Sequence, residues 1–385
     1  MVRQSAFSFV LACALLMPSH ANADTSPPIP AETDIPIALL VDISSGQVLF
    51  SRNAHRRFVP ASITKVMTLY HAFELIKDGK IAPRQSLVMS DEAWEQWHGE
   101  GSTMWINAGD RVSVSDLLTG IANVSANDAS IMLAEGQAGS VAAWLDAMNA
   151  QARTLDMANS RFGTPNGWPD EGATFTTAND LVKLAKAIVT RHPDLVARYM
   201  GKPGFRYNGI EQRNRDPMIG RVEGADGLKT GYTNESGFGY LGTARRGDQR
   251  LVLVIAGTRR GSVRDNSARA LMEWGFDEFV RESLFSEGTI VGQARVQGGS
   301  ARSVDLVTER DVFVNVPRGR TNEMSMRIEY NGPLRAPLNA GDSVATLVVE
   351  VPGMEPARLP LIVSRNVPKA GFFARLINGI AGWFS

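Results

Sequence analysis

The sequence predicts an α+β domain, an antiparallel sheet around a helical cluster, followed by a small all-β domain, on three observations. Apolar runs of strand length occur near the start, at residues 37–41 and 47–50, and recur across 238–257. Helical periodicity fills the interval between them, and beyond residue 283 only two-residue alternation remains. Strands at both ends with helices between them imply a sheet that joins the N- and C-terminal segments of the first domain. With 385 residues the chain has length for two domains. Lys plus Arg and Asp plus Glu are equal at 40 each, and the body carries no basic block, so nucleic-acid binding has no electrostatic support. A small or neutral substrate fits better.

Taken in order, residues 1–23 read as a secretory signal. Arg3 precedes an apolar run over 7–17, Pro18 breaks it, and Ala21-Asn22-Ala23 stands before Asp24. The run is too short for a retained membrane span, so the mature chain is expected to begin at Asp24 and to be exported. Cys13, the only cysteine, lies in that run, so no thiol or disulfide is expected in the mature chain. Ser44-Ser45-Gly46 separates the first two apolar runs as a hairpin turn does. Pro60 and Ala61 introduce Ser62, and the stretch to Leu75 is apolar on most faces, as a helix buried at a domain centre is. Helical periodicity returns at 114–121, 129–136, 141–155 and 179–189, with Gly-, Pro- and Asn-bearing loops such as 162–172 between. Residues 238–244 and 251–257 flank a turn at 245–248, and a helix follows at 267–276. The first domain is expected to span 24–283.

Residues 284–365 form the β domain. Val312, Val314 and Val316 alternate, as do Met324, Met326, Ile328 and Tyr330. No convergent set of catalytic residue types occurs there, so its expected role is structural or positional. The last segment, 366–385, is expected to hold an amphipathic helix from Lys369 onward, with Phe372, Phe373, Leu376, Ile377, Ile380, Trp383 and Phe384 at helical spacing beside Lys369 and Arg375. Such a helix either docks on its own domain or lies in a membrane interface; its terminal position and aromatic content favour the membrane.

Three short motifs carry chemistry. Ser62 opens the buried helix, where free amides and the helix dipole favour developing negative charge, and Lys65 falls one turn away on the same face. Taken alone, that pair reads as an N-capping serine with a solvated lysine. A lysine serves as a general base only when its pKa is pulled down from about 10.4 by burial or a neighbouring cation. Lys229 is the candidate cation. Ser125 can relay a proton to a leaving amine, and Asn127 can hold Lys65 and a substrate amide; taken alone, Ser125-Ala126-Asn127 is an ordinary helix cap. In Lys229-Thr230-Gly231, a glycine on a strand edge admits a substrate backbone, and Lys229 with Thr230 can receive a terminal carboxylate. The amides of Tyr232 and Ser62 would form an oxyanion hole. The ordered trio meets the needs of an acyl-transfer serine enzyme that works without histidine. Neither an HExxH metal motif nor a G-x-S-x-G elbow occurs, and no metal or organic cofactor is expected.

The phrases Val59-Pro60-Ala61-Ser62-Ile63-Thr64-Lys65, Val124-Ser125-Ala126-Asn127-Asp128-Ala129 and the stretch from Asp226 to Thr233 resemble the serine D-alanyl-D-alanine carboxypeptidases among the low-molecular-mass penicillin-binding proteins. The exported lead, the β domain and the aromatic tail extend the resemblance over essentially the full chain. It implies a serine β-lactamase/transpeptidase-like domain that removes the terminal D-alanine from peptidoglycan pentapeptide stems through an acyl-serine, with β-lactams as covalent inhibitors. It also implies peripheral anchoring at the periplasmic face of the cytoplasmic membrane. Carried over by motif, Ser62 is the nucleophile, Lys65 the base, Ser125 and Asn127 the second motif, and Lys229 with Thr230 the carboxylate site, where Arg215 is a further candidate. Some relatives have histidine in place of Tyr232, which leaves the role of that side chain open. Two rivals remain: a class A-like β-lactamase, which needs a deacylating glutamate and neither β domain nor tail, and a non-catalytic β-lactam sensor or wall-binding scaffold.

Overall fold

The computed structural model of the chain describes residues 26–320 and 323–371. Strands β1 (Ile37–Asp42) and β2 (Gln47–Arg52) form the expected hairpin. A 3-10 turn, Ala61–Thr64, leads into helix α1 (Lys65–Lys77). There follow β3 (Ser86–Val88), α2 (Asp91–Trp97), β4 (Arg111–Ser113), α3 (Val114–Val124), α4 (Asn127–Ala138), α5 (Val141–Thr154), α6 (Ala178–Arg191) and α7 (Pro193–Tyr199). The chain then returns to strand with β5 (Gly204–Tyr207), β6 (Ile210–Arg213), β7 (Ala225–Thr233), β8 (Gly237–Arg246) and β9 (Gln249–Thr258), and α8 (Gly261–Asp277) follows. Helices α2 and α7 and the pairs β3–β4 and β5–β6 are additions to the sequence expectation. None exceeds 7 residues, too short to display a period.

Five antiparallel strands stand in the order β2-β1-β9-β8-β7, so the first hairpin pairs with the last, Leu39 opposite Val254. Every residue of β1 is buried because the sheet is covered on both faces. Ile37, Leu39 and Val41 pack with Val252 and Val254 into the helical cluster, whereas Ala38 and Leu40 pack with Leu251, Leu253 and the α8 residues Ala268, Leu271 and Met272. Strand alternation thus serves two cores. Helix α1 threads the cluster with every residue from Lys65 to Phe73 buried, which accounts for its apolar character on most faces. It delivers Lys65 to the cleft between cluster and sheet.

Strand β10 (Phe279–Phe285) links the two units: Phe279 packs beside α8, while Leu284 and Phe285 pack into the separate core of the β unit. Beyond it lie β11 (Ile290–Gln297), β12 (Ser303–Thr308), β13 (Val312–Pro317), β14 (Ser325–Tyr330), β15 (Leu334–Arg335), β16 (Ser343–Glu350) and β17 (Ala357–Val363). A β10–β13 pair and a six-stranded sheet, ordered β14-β16-β17-β12-β11-β15, share a core of residues such as Leu306, Val314, Leu347 and Leu361. The two units are clasped by Asn315. Its Nδ2 donates to Asp42 Oδ2 (2.7 Å) and Ser45 Oγ (3.0 Å), and its backbone exchanges hydrogen bonds with the side-chain amide of Gln47 (2.5 and 3.1 Å).

Part of the expected terminal helix is extended instead. Val367 bridges Leu338, Lys369 bridges Gly299, and Val367 and Ala370 are buried, so residues 367–370 complete the β unit. The physical reason is that Pro368 and the backbone partners at residues 298–300 hold this stretch against the unit. The expected signal, with Cys13, and the aromatic residues from Phe372 to Ser385 lie outside the described residues. Among the described residues, no helix is long and apolar enough to cross a membrane.

Candidate active site

Ser62 sits in the 3-10 turn rather than in α1 proper, with Lys65 as the first residue of the α-helix. The turn is set by Ala61, which holds a left-handed φ of 49°, a conformation that is strained for a residue with a Cβ. Lys65 is fully buried, and its Nζ lies 2.9 Å from Ser62 Oγ, 2.8 Å from Asn127 Oδ1 and 2.5 Å from the Asn166 carbonyl oxygen. Burial above all, and then the nearby charge of Lys229, lowers its pKa well below the ordinary lysine value, against a smaller opposing effect of Asp128. A lysine so placed is no solvated cap neighbour.

The second motif occupies the corner between α3 and α4. Ser125 terminates α3 in the left-handed region, at φ 65°, and caps neither helix with its side chain. The residue lines the cleft instead. Asn127 opens α4, accepts from Lys65 and donates through Nδ2 to the Glu100 carbonyl (2.9 Å). These two partners fix its orientation, because a flipped amide would set donor against donor and oxygen against oxygen. Asp128, next in sequence and buried, accepts from the amides of Met104 (3.1 Å) and Ile106 (3.2 Å). It therefore holds the segment before β4 against the same corner.

The third motif lies on β7, an outer strand of the sheet. Lys229 is buried, donates to the Thr230 carbonyl (3.1 Å), and is pulled down to about 7, first by burial and then by Arg215 and Arg264, with Asp216 opposing. A Cβ on Gly231 would stand 2.6 Å from the Pro60 carbonyl oxygen, so only glycine lets this strand approach the turn that bears Ser62. Tyr232 is half exposed, stacks on Phe238 at 4.1 Å between ring centres, and donates to Asn234 Oδ1 (2.8 Å). Arg215 reaches across to Ser102 Oγ (3.0 Å).

One cleft of about 530 Å³ is lined by Ser62, Ser125, Asn127, Arg215 and the β7 run Lys229, Thr230, Gly231 and Tyr232, with Lys65 beneath Ser62. The geometry brings together every site residue proposed from the sequence. Sequence reasoning missed the loop between α5 and α6, which closes the floor. Asn166 contributes a backbone oxygen to Lys65, and Gly167 packs so tightly that a Cβ would fall 1.9 Å from the Ala61 carbonyl oxygen. Arg264 of α8 also lines the cleft, donating to the Gly239 carbonyl (3.0 Å). The turn-forming Pro165-Asn166-Gly167 was the available signal for the loop; Arg264 carried none. Among the described residues lining the cleft, Asp216 is the only carboxylate, and it is engaged by Tyr240 Oη (2.9 Å) and the Met218 amide (2.8 Å).

Similarity to known proteins extends over both units. A family profile described as D-alanyl-D-alanine carboxypeptidase matches residues 21–260, and one described as penicillin-binding protein 5, C-terminal domain, matches 279–369. The D-alanyl-D-alanine carboxypeptidase DacC of Escherichia coli is 34% identical over 395 residues, covering 99% of this chain and 96% of that protein. The solved structure of penicillin binding protein 5 from Haemophilus influenzae is similar with a TM-score of 0.77 and 30% identity, over 88% of this chain and 99% of that one. Penicillin-binding protein D2 from Listeria monocytogenes, solved in an ampicillin-bound form, matches with a TM-score of 0.56 and 27% identity, over 64% of this chain and 99% of that one.

Proposed function

Because the chain belongs to the D-alanyl-D-alanine carboxypeptidase family of serine peptidases, we propose that Ser62 is the residue its substrate acylates and Lys65 the base that activates it. The enzyme removes the terminal D-alanine of peptidoglycan stem peptides and binds β-lactams. The observation that carries the assignment is the set of three oxygens around Lys65 Nζ. Two of them, Asn127 Oδ1 and the Asn166 carbonyl, only accept. A neutral amine has two N–H bonds for those two oxygens and one lone pair, which then faces the remaining partner, the Ser62 hydroxyl.

Lys65 takes the Ser62 proton as Oγ bonds to the carbonyl carbon of the penultimate D-alanine. The resulting oxyanion accepts from the amides of Ser62 and Tyr232. Collapse breaks the peptide bond, D-alanine leaves with a proton passed through Ser125, and water later hydrolyses the ester. Lys229, Thr230 and Arg215 receive the terminal carboxylate, the one anionic group the substrate presents there. The engaged state of Asp216 supports slow hydrolysis of a penicilloyl ester and disfavours the β-lactamase rival. Export by residues 1–23, a catalytic unit over 24–283, a β unit over 284–365 and peripheral anchoring by the aromatic tail complete the reading; their support is the sequence pattern and the two separate cores.

The test is D-alanine release from a D-Ala-D-Ala peptide by the purified chain, with fluorescent penicillin as a covalent label. Ser62→Ala should abolish release and labelling together. Label retained in that variant would overturn the assignment.

A further inference from the structure

We propose that Trp105, close to the cleft edge formed by Gly101 and Trp168, is a glycan subsite that stacks on a pyranose ring of the saccharide carrying the stem peptide. The inference rests on the carboxypeptidase reading above, since it names where the remainder of that substrate lies. An aromatic ledge leaves the cleft beside Asn127. Trp168 lines the cleft at 37% exposure and is held edge-on by Trp97 (5.4 Å, 89°), which is itself buried. Gly101 is the reason the indole can lie there, because a Cβ would stand 2.9 Å from both Trp168 and Asn127 Nδ2. Two residues back, Gly99 faces the ring of Trp105, where a Cβ would stand 4.0 Å from the indole. Two residues of chain span at most about 7 Å, so the second indole lies close to the cleft edge that Gly101 lines.

Trp105 is held outward at a cost. Its φ is 65°, a region unfavourable for a bulky side chain, and the amides on either side, Met104 and Ile106, are fixed by the buried Asp128 carboxylate. Its carbonyl accepts from Asn208 Nδ2 (3.3 Å), its ring meets His98 edge-on (6.0 Å, 77°), and the indole remains 40% exposed. A strained backbone that is anchored to the residue after Asn127 and leaves a large aromatic side chain partly exposed suits a ligand surface better than a core. The ligand chemistry follows from the substrate. With the terminal carboxylate at Lys229, the four residues upstream of the scissile bond extend at most about 14 Å, so the sugar emerges over the rim. A pyranose presents a flat face of C–H bonds with hydroxyls at its edge, which suits an exposed indole with the polar His98 ring beside it.

The experiment compares two substrates on the full chain: a sugar-free acetylated tripeptide ending in D-Ala-D-Ala, and a disaccharide pentapeptide. Trp105→Ala should raise KM for the disaccharide substrate about five- to tenfold while kcat and both constants for the tripeptide stay within about twofold. Trp105→Tyr, which keeps an aromatic face, should restore most of the loss. An equal rise on both substrates, or none on either, overturns the glycan subsite. So does loss of binding to phosphatidylglycerol vesicles with unchanged kinetics, which would assign the ledge to a membrane. Failure of the wild-type chain to release D-alanine from the tripeptide would instead overturn the carboxypeptidase reading itself.

Discussion

Lys65 and Lys229 share a cleft and a low pKa, yet the proposed mechanism asks opposite charge states of them. There Lys65 must be neutral to accept the Ser62 proton, a state that burial beside a second cation favours. As pH falls through its pKa it gains a proton and the rate declines. Lys229 must be charged to attract the substrate carboxylate, and with a pKa of about 7 in the free enzyme it loses that charge as pH rises. The profile of kcat/KM, which reports the free enzyme, should therefore be bell-shaped with its alkaline limb near 7. Arginine remains charged throughout, so Lys229→Arg should retain part of the activity and move the alkaline limb upward, whereas Lys65→Arg should lower acylation by about 10²- to 10⁴-fold at every pH. Steady-state kinetics across pH check this, and an alkaline limb unmoved in Lys229→Arg would contradict the division.

At the scale of the element, β7 and the turn before α1 are one device. Gly231 fits the strand against the Pro60 carbonyl, and Ala61 bends the turn to meet it. Gly231→Ala puts a methyl group where backbone stands, so turn and strand must separate. The expected result is a drop of about 10²-fold in kcat/KM from misplacement at the reacting centre, with a thermal melt that shows a folded protein. Unchanged kinetics would show that the close approach is dispensable. Elements of this kind also explain what was legible in the sequence. The roles proposed for Ser62, Lys65, Ser125, Asn127 and Lys229 fall on side chains at fixed spacing, and long periodic stretches such as α5 and α6 announced themselves. Asn166 acts through a carbonyl that every residue possesses, and Arg264 arrives from α8 by tertiary packing, so neither could leave a local pattern. The tail expectation began a few residues early because Lys369 and Ala370 match a helical charge-and-apolar pattern while their backbone completes the β unit.

For the molecule as a whole, the Asn315 clasp and the two-core strand β10 make the β unit a fixed extension of the catalytic unit. On the proposed anchoring by the tail, removal of residues after Gly371 should release the protein from the membrane fraction, and the clasp should leave peptide hydrolysis by purified enzyme within about twofold. Cutting after Val367 removes buried Ala370 and the Lys369 bridge as well. A loss of about 1 kcal/mol there should lower the melting midpoint of a unit this size by about 4–8 °C. Membrane fractionation and thermal melts of the two truncations check both statements, and a Gly371 truncation that still sediments with membranes would place the anchor elsewhere. The pairing of Leu39 with Val254 bears on something else, the order of events as the polypeptide is made. Strand β1 is among the first pieces of the domain to exist, but its inner neighbour β9 is among the last. Until residue 258 is available, β1 has only β2 to pair with, and α1 has no closed sheet to lie against. A sheet closed by such distant segments forms late and slowly, so the nascent chain stays open through most of its synthesis, the condition in which a polypeptide can be threaded through a narrow pore before it folds.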